Sequence, residues 1–278
     1  MYIYVKPTSD IFFRYLFGSE ENKGLLLSFI NSVMIDVDFP TLSSVEIKNP
    51  FNLKTIALEK ETILDVKALD NTGRQFDIEV QSTGDYHFRA RSLYYWAKLY
   101  VSQLTEGDQY KTLKPAICIN VLDFTLLEPI KRFHSCFMLQ DICEPENILT
   151  DHLMLHFIEL PKFNNKEIKT KIQKWLLYLT SEGKENDIMR ILIQEDKEIE
   201  KAHNLYEKFT QNDEMMAVYE AREKYNKDHN SLMDSKLEEG KRKGKMEDAK
   251  KMLEHGLAVE LIADCTGLPI EEIEKLKK

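Results

Sequence analysis

Three observations predict an α/β fold: a mixed central sheet flanked by helices, followed by an all-helical C-terminal region. Two alternating runs, Ile63 to Leu69 and Gln75 to Gln81, flank a turn and read as a hairpin. A nearly continuous apolar run, Ala116 to Leu122, reads as a strand buried on both faces, which requires helices above and below it. From residue 165 onward the strand signals vanish, and charged segments of helical period take over.

The elements follow in order. Ser9 or Asp10 is placed to cap a helix running through Ile11 to Phe17 and stopping at Gly18. A second helix, from about Asn22 to Val33, carries Leu25, Leu26, Phe29, Ile30 and Val33 at the spacing of one buried face. After the hairpin, a long helix is expected from about Asp85 to Leu104, with Phe88, Tyr95, Trp96, Leu99 and Tyr100 on or near one side. The strand at 116–122 comes next, then another over Leu153 to Leu160. Lys166 to Thr180, Asp187 to Phe209 and Asp213 to Asn226 read as helices. Lys236 to His255 is helical in period but interrupted by Gly240 and Gly244, and Ala258 to Leu276 reads as two short helices around Thr266-Gly267-Leu268-Pro269. The expected divisions are 1–165, an α/β domain; 166–235, a helical region; and 236–278, a charged helical tail.

The 278 residues are 43% hydrophobic and 31% charged, an ordinary globular composition. The net charge of −9 lacks the global positive field that draws a protein to nucleic acid. The surplus is concentrated in residues 1–160, with 22 acidic side chains against 15 basic. Cys118, Cys136, Cys143 and Cys265 form no C-x-x-C pair and are expected to be reduced core thiols. The N-terminal Met-Tyr-Ile-Tyr-Val-Lys-Pro lacks the pattern of a signal peptide, and no run approaches the roughly 18 apolar residues of a membrane span. The expectation is a cytoplasmic protein that does not enter the membrane.

The hairpin is the element that carries chemistry. In its second run Phe76, Ile78 and Val80 share one face, while Asp77, Glu79 and Gln81 share the other. A three-residue loop, Asn71-Thr72-Gly73, with Gly73 in the left-handed conformation, sets Asp70 opposite Arg74. That register places Asp65 opposite Glu79 and Lys67 opposite Asp77. A slip of one residue would bury a polar row. Directly opposed residues have β-carbons about 4.5–5.5 Å apart. Two carboxylates at that distance either share a cation or lie on a wet outer face flanked by Lys67 and Arg74. A site made of carboxylate and carbonyl oxygens suits magnesium or manganese.

These residues resemble the metal site of PD-(D/E)xK nucleases. The closer resemblance is to the PD-(D/E)xK nuclease family transposases, also called recombination-promoting nucleases. It rests on Asp65 with Glu79-Val-Gln81, and on Ser9-Asp10 through Gly18, Asn31, Arg91-Ser-Leu-Tyr94-Tyr95, Gln103 to Tyr110 and Glu159-Leu-Pro-Lys162-Phe163. It covers about residues 5–165 well and the rest more loosely.

The resemblance implies a restriction-endonuclease-like core and a Mg2+- or Mn2+-dependent hydrolysis of DNA phosphodiester bonds. Asp65 and Glu79 would hold the metal, with Asp10 as a further acidic contributor or simply a helix cap. The third motif position, usually lysine, is Gln81 here. Glutamine orients water but is neither a cation nor a base. Lys67, on the face of Asp65, is placed either to supply the missing ammonium or to pair with Asp77. Arg91, Tyr94 and Arg89, on the helix after Gln81, are the candidate substrate contacts. The other reading of the resemblance is a catalytically impaired nuclease fold that binds DNA or protein as a regulatory module.

In the tail, Ala263, Gly267 and Ile273 have helix-turn-helix spacing, but Glu271, Glu272 and Glu274 oppose insertion into a DNA groove. A packing or homo-oligomer element is expected there. The basic run Lys241-Arg242-Lys243-Gly244-Lys245 is read as a solvated helix face.

Overall fold

Alternation along each strand gives the sheet two unlike faces, and the helices divide accordingly. The computed structural model describes residues 4–53, 66–84, 86–164, 167–184 and 187–276. Expectations for Ile63, Leu64, Asp65, Asp85 and Lys166 therefore lie outside the described residues. Among the described residues the strands are β1 Val45–Ile47, β2 Val66–Asp70, β3 Gln75–Gln81, β4 Ala116–Leu122, β5 His134–Gln140 and β6 Ile148–Glu159. They form one sheet in the order β1-β2-β3-β4-β6-β5. β1–β2, β2–β3 and β5–β6 are antiparallel, whereas β3–β4 and β4–β6 are parallel. This is the mixed sheet the sequence predicts.

One face carries Phe76, Ile78, Val80, Ile117, Ile119 and Val121. It shares a core with α1 (Asp10–Gly18), α2 (Lys23–Ile35), α4 (Lys171–Ser181), α5 (Asp187–Glu195) and α6 (Lys197–Thr210). The opposite face, with Cys118, Leu122, Leu155 and Phe157, packs under Phe88, Trp96 and Leu99 of α3 (Phe88–Val101). Layered burial of this kind is what an apolar strand such as β4 demands.

Several boundaries depart from expectation, each for a physical reason. Ser9 is the N-cap of α1 but its side chain makes no capping bond; the Asp10 carboxylate instead accepts the Ile11 N–H at 2.8 Å. The single helix expected over Asp187 to Phe209 breaks at Asp196, which caps α6 by accepting from the Ile199 N–H. Burial opposes ionisation of Asp196, yet hydrogen bonds from Lys171 and Lys174 hold its carboxyl down at about 2. Gly240 and Gly244 do not interrupt their helix: α7 runs unbroken from Asp213 to Glu254. A glycine costs a helix about 1 kcal/mol relative to alanine but, unlike proline, keeps its backbone donor. Of the four cysteines, Cys118 is buried and Cys136 partly so, whereas Cys143 and Cys265 are exposed rather than in a core. The sequence reading passed over β1, which is three residues long, and β5, which opens on the buried polar pair His134-Ser135.

The chain forms two compact units, residues 1–219 and 220–278. The second has its own small core of Ala249, Val259, Ile262, Leu268 and Ile273. Its short helices α8 (Val259–Thr266) and α9 (Ile270–Lys275) meet at Gly267, whose φ of 69° is the left-handed conformation the turn needs.

A buried polar line crosses β5 and β6. Asp36 Oδ2 lies 2.7 Å from His134 Nδ1, His134 Nε2 lies 3.0 Å from His156 Nδ1, and His156 Nε2 lies 3.8 Å from Cys136 Sγ. With Asp36 ionised, one tautomer set satisfies every link: the Cys136 thiol donates to His156, His156 to His134, and His134 to Asp36. Burial, reinforced by the neighbouring His134, drives His156 down to about 3, and burial pushes the Cys136 thiol up to about 11. His156 therefore stays neutral in the fold. Below its unfolded value near 6.5, only the unfolded chain takes up this proton, so stability falls by about 1.4 kcal/mol per pH unit until about pH 3. The stability lost between pH 7.5 and 5.5 is expected to be about 1.4 kcal/mol smaller in His156→Gln than in the parent. Urea unfolding followed by the fluorescence of Trp96 and Trp175, both in the first unit, measures that difference.

Candidate metal centre and nucleic-acid interface

The hairpin is built as its sequence dictates. Gly73 has a φ of 88°, and the Asp70 N–H donates to the Arg74 carbonyl at 3.1 Å. Asp70 Oδ1 accepts from the Thr72 N–H, the Thr72 hydroxyl and the Arg74 N–H, while Oδ2 accepts from Arg74 Nε at 2.6 Å. Burial of Asp70 opposes its charge, but these bonds outweigh it and leave the carboxyl below the usual carboxylate value. The resulting register pairs Val66 with Ile78, Lys67 with Asp77, Ala68 with Phe76 and Leu69 with Gln75, as expected. Asp65, one residue before β2, lies outside the described residues.

Along β3 the row Gln75, Asp77, Glu79, Gln81 alternates with the buried Phe76, Ile78 and Val80. Helix α3 meets this row through Arg91. Its Nη2 donates to Gln81 Oε1 at 2.9 Å and lies 3.5 Å from Glu79 Oε1. The guanidinium sits 4.7 Å over the ring of Phe88, which is fully buried and fixes the approach. Gln81 turns its amide nitrogen to the Thr83 carbonyl, 3.3 Å away. The side chains of Glu79 and Arg91 are 27% and 30% exposed.

The other expected residues are distributed unevenly. Lys67 stands directly opposite Asp77, two residues along β3 from Glu79. Asp10 is the first residue of α1. Arg89 turns away from the polar row and donates to the Leu126 carbonyl at 2.7 Å. Tyr94 is 63% exposed, its ring centroid 5.8 Å from that of Tyr95. The structure thus brings together Glu79, Gln81 and Arg91. The sequence reading assigned Arg91 to substrate and missed its bond to the motif.

It also missed Lys48 and Asn49. The Lys48 N–H donates to the Lys67 carbonyl, and Asn49 Oδ1 accepts the Lys67 N–H, both at 2.7 Å. These bonds extend the sheet edge beyond β1 and set two lysines side by side. The three-residue alternation Val45-Glu46-Ile47 was the only signal for it.

Among the described residues, no group of three or more His, Cys, Asp or Glu side chains is arranged to hold a metal. Glu79 contributes carboxylate oxygen, a donor of the kind hard divalent cations take. No described helix is long and apolar enough to cross a membrane.

The model of the family described as PD-(D/E)XK nuclease family transposase matches residues 7–236, and the chain belongs to that family. Its mixed six-stranded sheet flanked by helices is the restriction-endonuclease-like α/β fold of such nucleases. No curated protein and no solved structure matches the chain.

Because the Asp70 side chain is fully enclosed, removing its carboxylate strands the Arg74 guanidinium and three further donors. Asp70→Ala is expected to lose about 3 kcal/mol of stability in urea unfolding, and Asp70→Asn, which keeps an acceptor oxygen, clearly less.

Proposed function

We propose that the protein is a DNA endonuclease dependent on magnesium or manganese, in which Asp65 and Glu79 hold the cation and Gln81 and Arg91 complete the site. The observation that supports this most directly is the Arg91 guanidinium bonded to Gln81 and adjacent to Glu79, a permanent positive charge held against the residue at the motif position that is usually lysine. When bound, the metal supplies Lewis-acid polarisation of the phosphate and a more acidic water.

The chain's own residues supply the rest. Gln81 orients the attacking water through its amide. Arg91, which cannot be deprotonated and so is no base, stabilises the charge that develops on the phosphate oxygens. Lys67 is a second cation beside the site and Asp10 a further acidic candidate, while Arg89 and Tyr94 remain candidate substrate contacts at the outer edge of α3. In the same reading, residues 1–165 are the nuclease domain. Residues 166–235 are a helical region and 236–278 the tail, which serve assembly into a homo-oligomer. The protein acts on DNA in the cytoplasm, in recombination of the transposase type. The glutamine at position 81 favours one competing reading, a nuclease fold that binds nucleic acid without cutting it.

Nicking of supercoiled plasmid by the purified chain, with magnesium, manganese or chelator, separates these readings. Cleavage is expected only with a divalent ion. Asp65→Ala and Glu79→Ala should each lower it at least about a hundredfold, and Arg91→Ala by a smaller factor that Arg91→Lys partly restores. Undiminished cleavage by the Asp65 and Glu79 variants overturns the proposal; metal-independent DNA binding with no cleavage under any condition establishes the competing one.

A further inference from the structure

Helix α3 carries Arg91, Tyr95, Lys98 and, at its C-cap, Ser102, spaced by four, three and four residues, which is one stripe of a helix. One end of the stripe, Arg91, meets Glu79 and Gln81. The rest of it, Tyr95, Lys98 and Ser102, lines a cavity of about 290 Å³ together with Asp77 of β3, Lys67 of β2 and Lys48. The stripe therefore runs antiparallel to β3, and the cavity begins where the Glu79 site ends. Two strand residues, from Glu79 to Asp77, span about 7 Å.

Among the described residues, the lining charges are three lysines against one aspartate, in a chain whose net charge is −9. Their placement is built by the backbone, since the Lys48 N–H bond to the Lys67 carbonyl brings those two residues together. Glu46 takes one side of Lys48 at 2.8 Å, and Lys67 stands opposite Asp77 across the hairpin. Lys98 is exposed on the rim, and Tyr95 presents a half-buried aromatic ring beside it. Ammonium groups along an open cleft, interleaved with an aromatic face, match the backbone and bases of a polynucleotide better than a small enclosed ligand.

We infer that this cleft between α3 and the β2–β3 hairpin is a subsite for the nucleic-acid strand next to the scissile position. Lys98 and Lys67 contact backbone phosphate there, and Tyr95 offers a surface for a base. The inference rests on the nuclease reading of the neighbouring Glu79 site. It assigns that site a direction, with the strand running along β3 from Gln81 toward Gln75.

The test reads binding rather than cleavage. Anisotropy of labelled single-stranded and duplex DNA oligonucleotides is measured with the full chain in calcium, over a range of salt concentrations. Lys98→Glu is expected to weaken binding about tenfold and to reduce the slope of log affinity against log salt by about one. Lys208→Glu makes the same charge change on α6, in the opposite layer, and is expected to leave affinity and slope at the parent values. Circular dichroism melts of both variants are compared with the parent, so that a loss of fold is not mistaken for a loss of contact.

Equal affinities for the Lys98 and Lys208 variants overturn the inference. A protein that binds DNA through Lys98 yet never nicks it overturns only the nuclease reading. One that nicks with Lys98-independent affinity overturns only the subsite.

Discussion

One buried carboxylate holds the hairpin in register, and the polar row of the candidate site depends on that register. Four hydrogen bonds converge on Asp70 from Thr72 and Arg74, closing the turn so that Lys67 faces Asp77 and Val66 faces Ile78. Strand side chains alternate, so a slip of one residue would push Asp77, Glu79 and Gln81 into the layer of α1 and α2 and expose Phe76 and Ile78. β3 also pairs in parallel with β4 along its whole length, from Gln75–Ala116 to Gln81–Leu122. The turn thus determines which face of the central sheet is polar and where α3 can settle.

Arg91 converts this geometry into a site. Without it, Glu79 would be a carboxylate on a strand of an acidic protein. With it, the row holds a positive charge packed over Phe88 and bonded to Gln81. A net charge of −9 argues against general affinity for nucleic acid. It does not describe this face, where Arg91, Lys67, Lys48 and Lys98 lie along one sheet edge and one helix stripe.

How much of this was legible in the sequence depended on whether the signal was local. The hairpin, its Gly73 turn and its register follow from alternation within about twenty residues, and from Val66 onward the structure agrees with each. β5 was not legible because its first residues, His134 and Ser135, are polar groups buried among partners remote in sequence. Several residues that carried the family resemblance prove to be braces. Asn31 exchanges two hydrogen bonds with the Leu42 backbone, Gln103 two with that of Lys114, and Glu159 accepts from the Leu126 and Leu127 N–H groups while pairing with Lys162. Their roles are invisible in one dimension because each partner is set by tertiary packing. The same holds for Arg91, whose bond to Gln81 exists only because α3 lies antiparallel across β3. The glycines of α7 misled in the opposite sense, since a local preference was read as a break that the helix simply absorbs.

That uninterrupted helix has a consequence of its own. Residues 231–245 of α7 are exposed on every side, with no core beneath them, and they include Gly240 and Gly244. Two of their ion pairs, Glu238 with Lys241 and Glu239 with Lys243, are solvated and screened by salt, while Arg242 reaches Glu272 of α9 at 3.0 Å. The helical stretch leading into the small core of the second unit is therefore held mainly by its own backbone, with the Arg242–Glu272 pair as a tie to α9. Fraying costs little there, so its amides exchange with solvent early and a protease finds a foothold within the second unit, ahead of its small core.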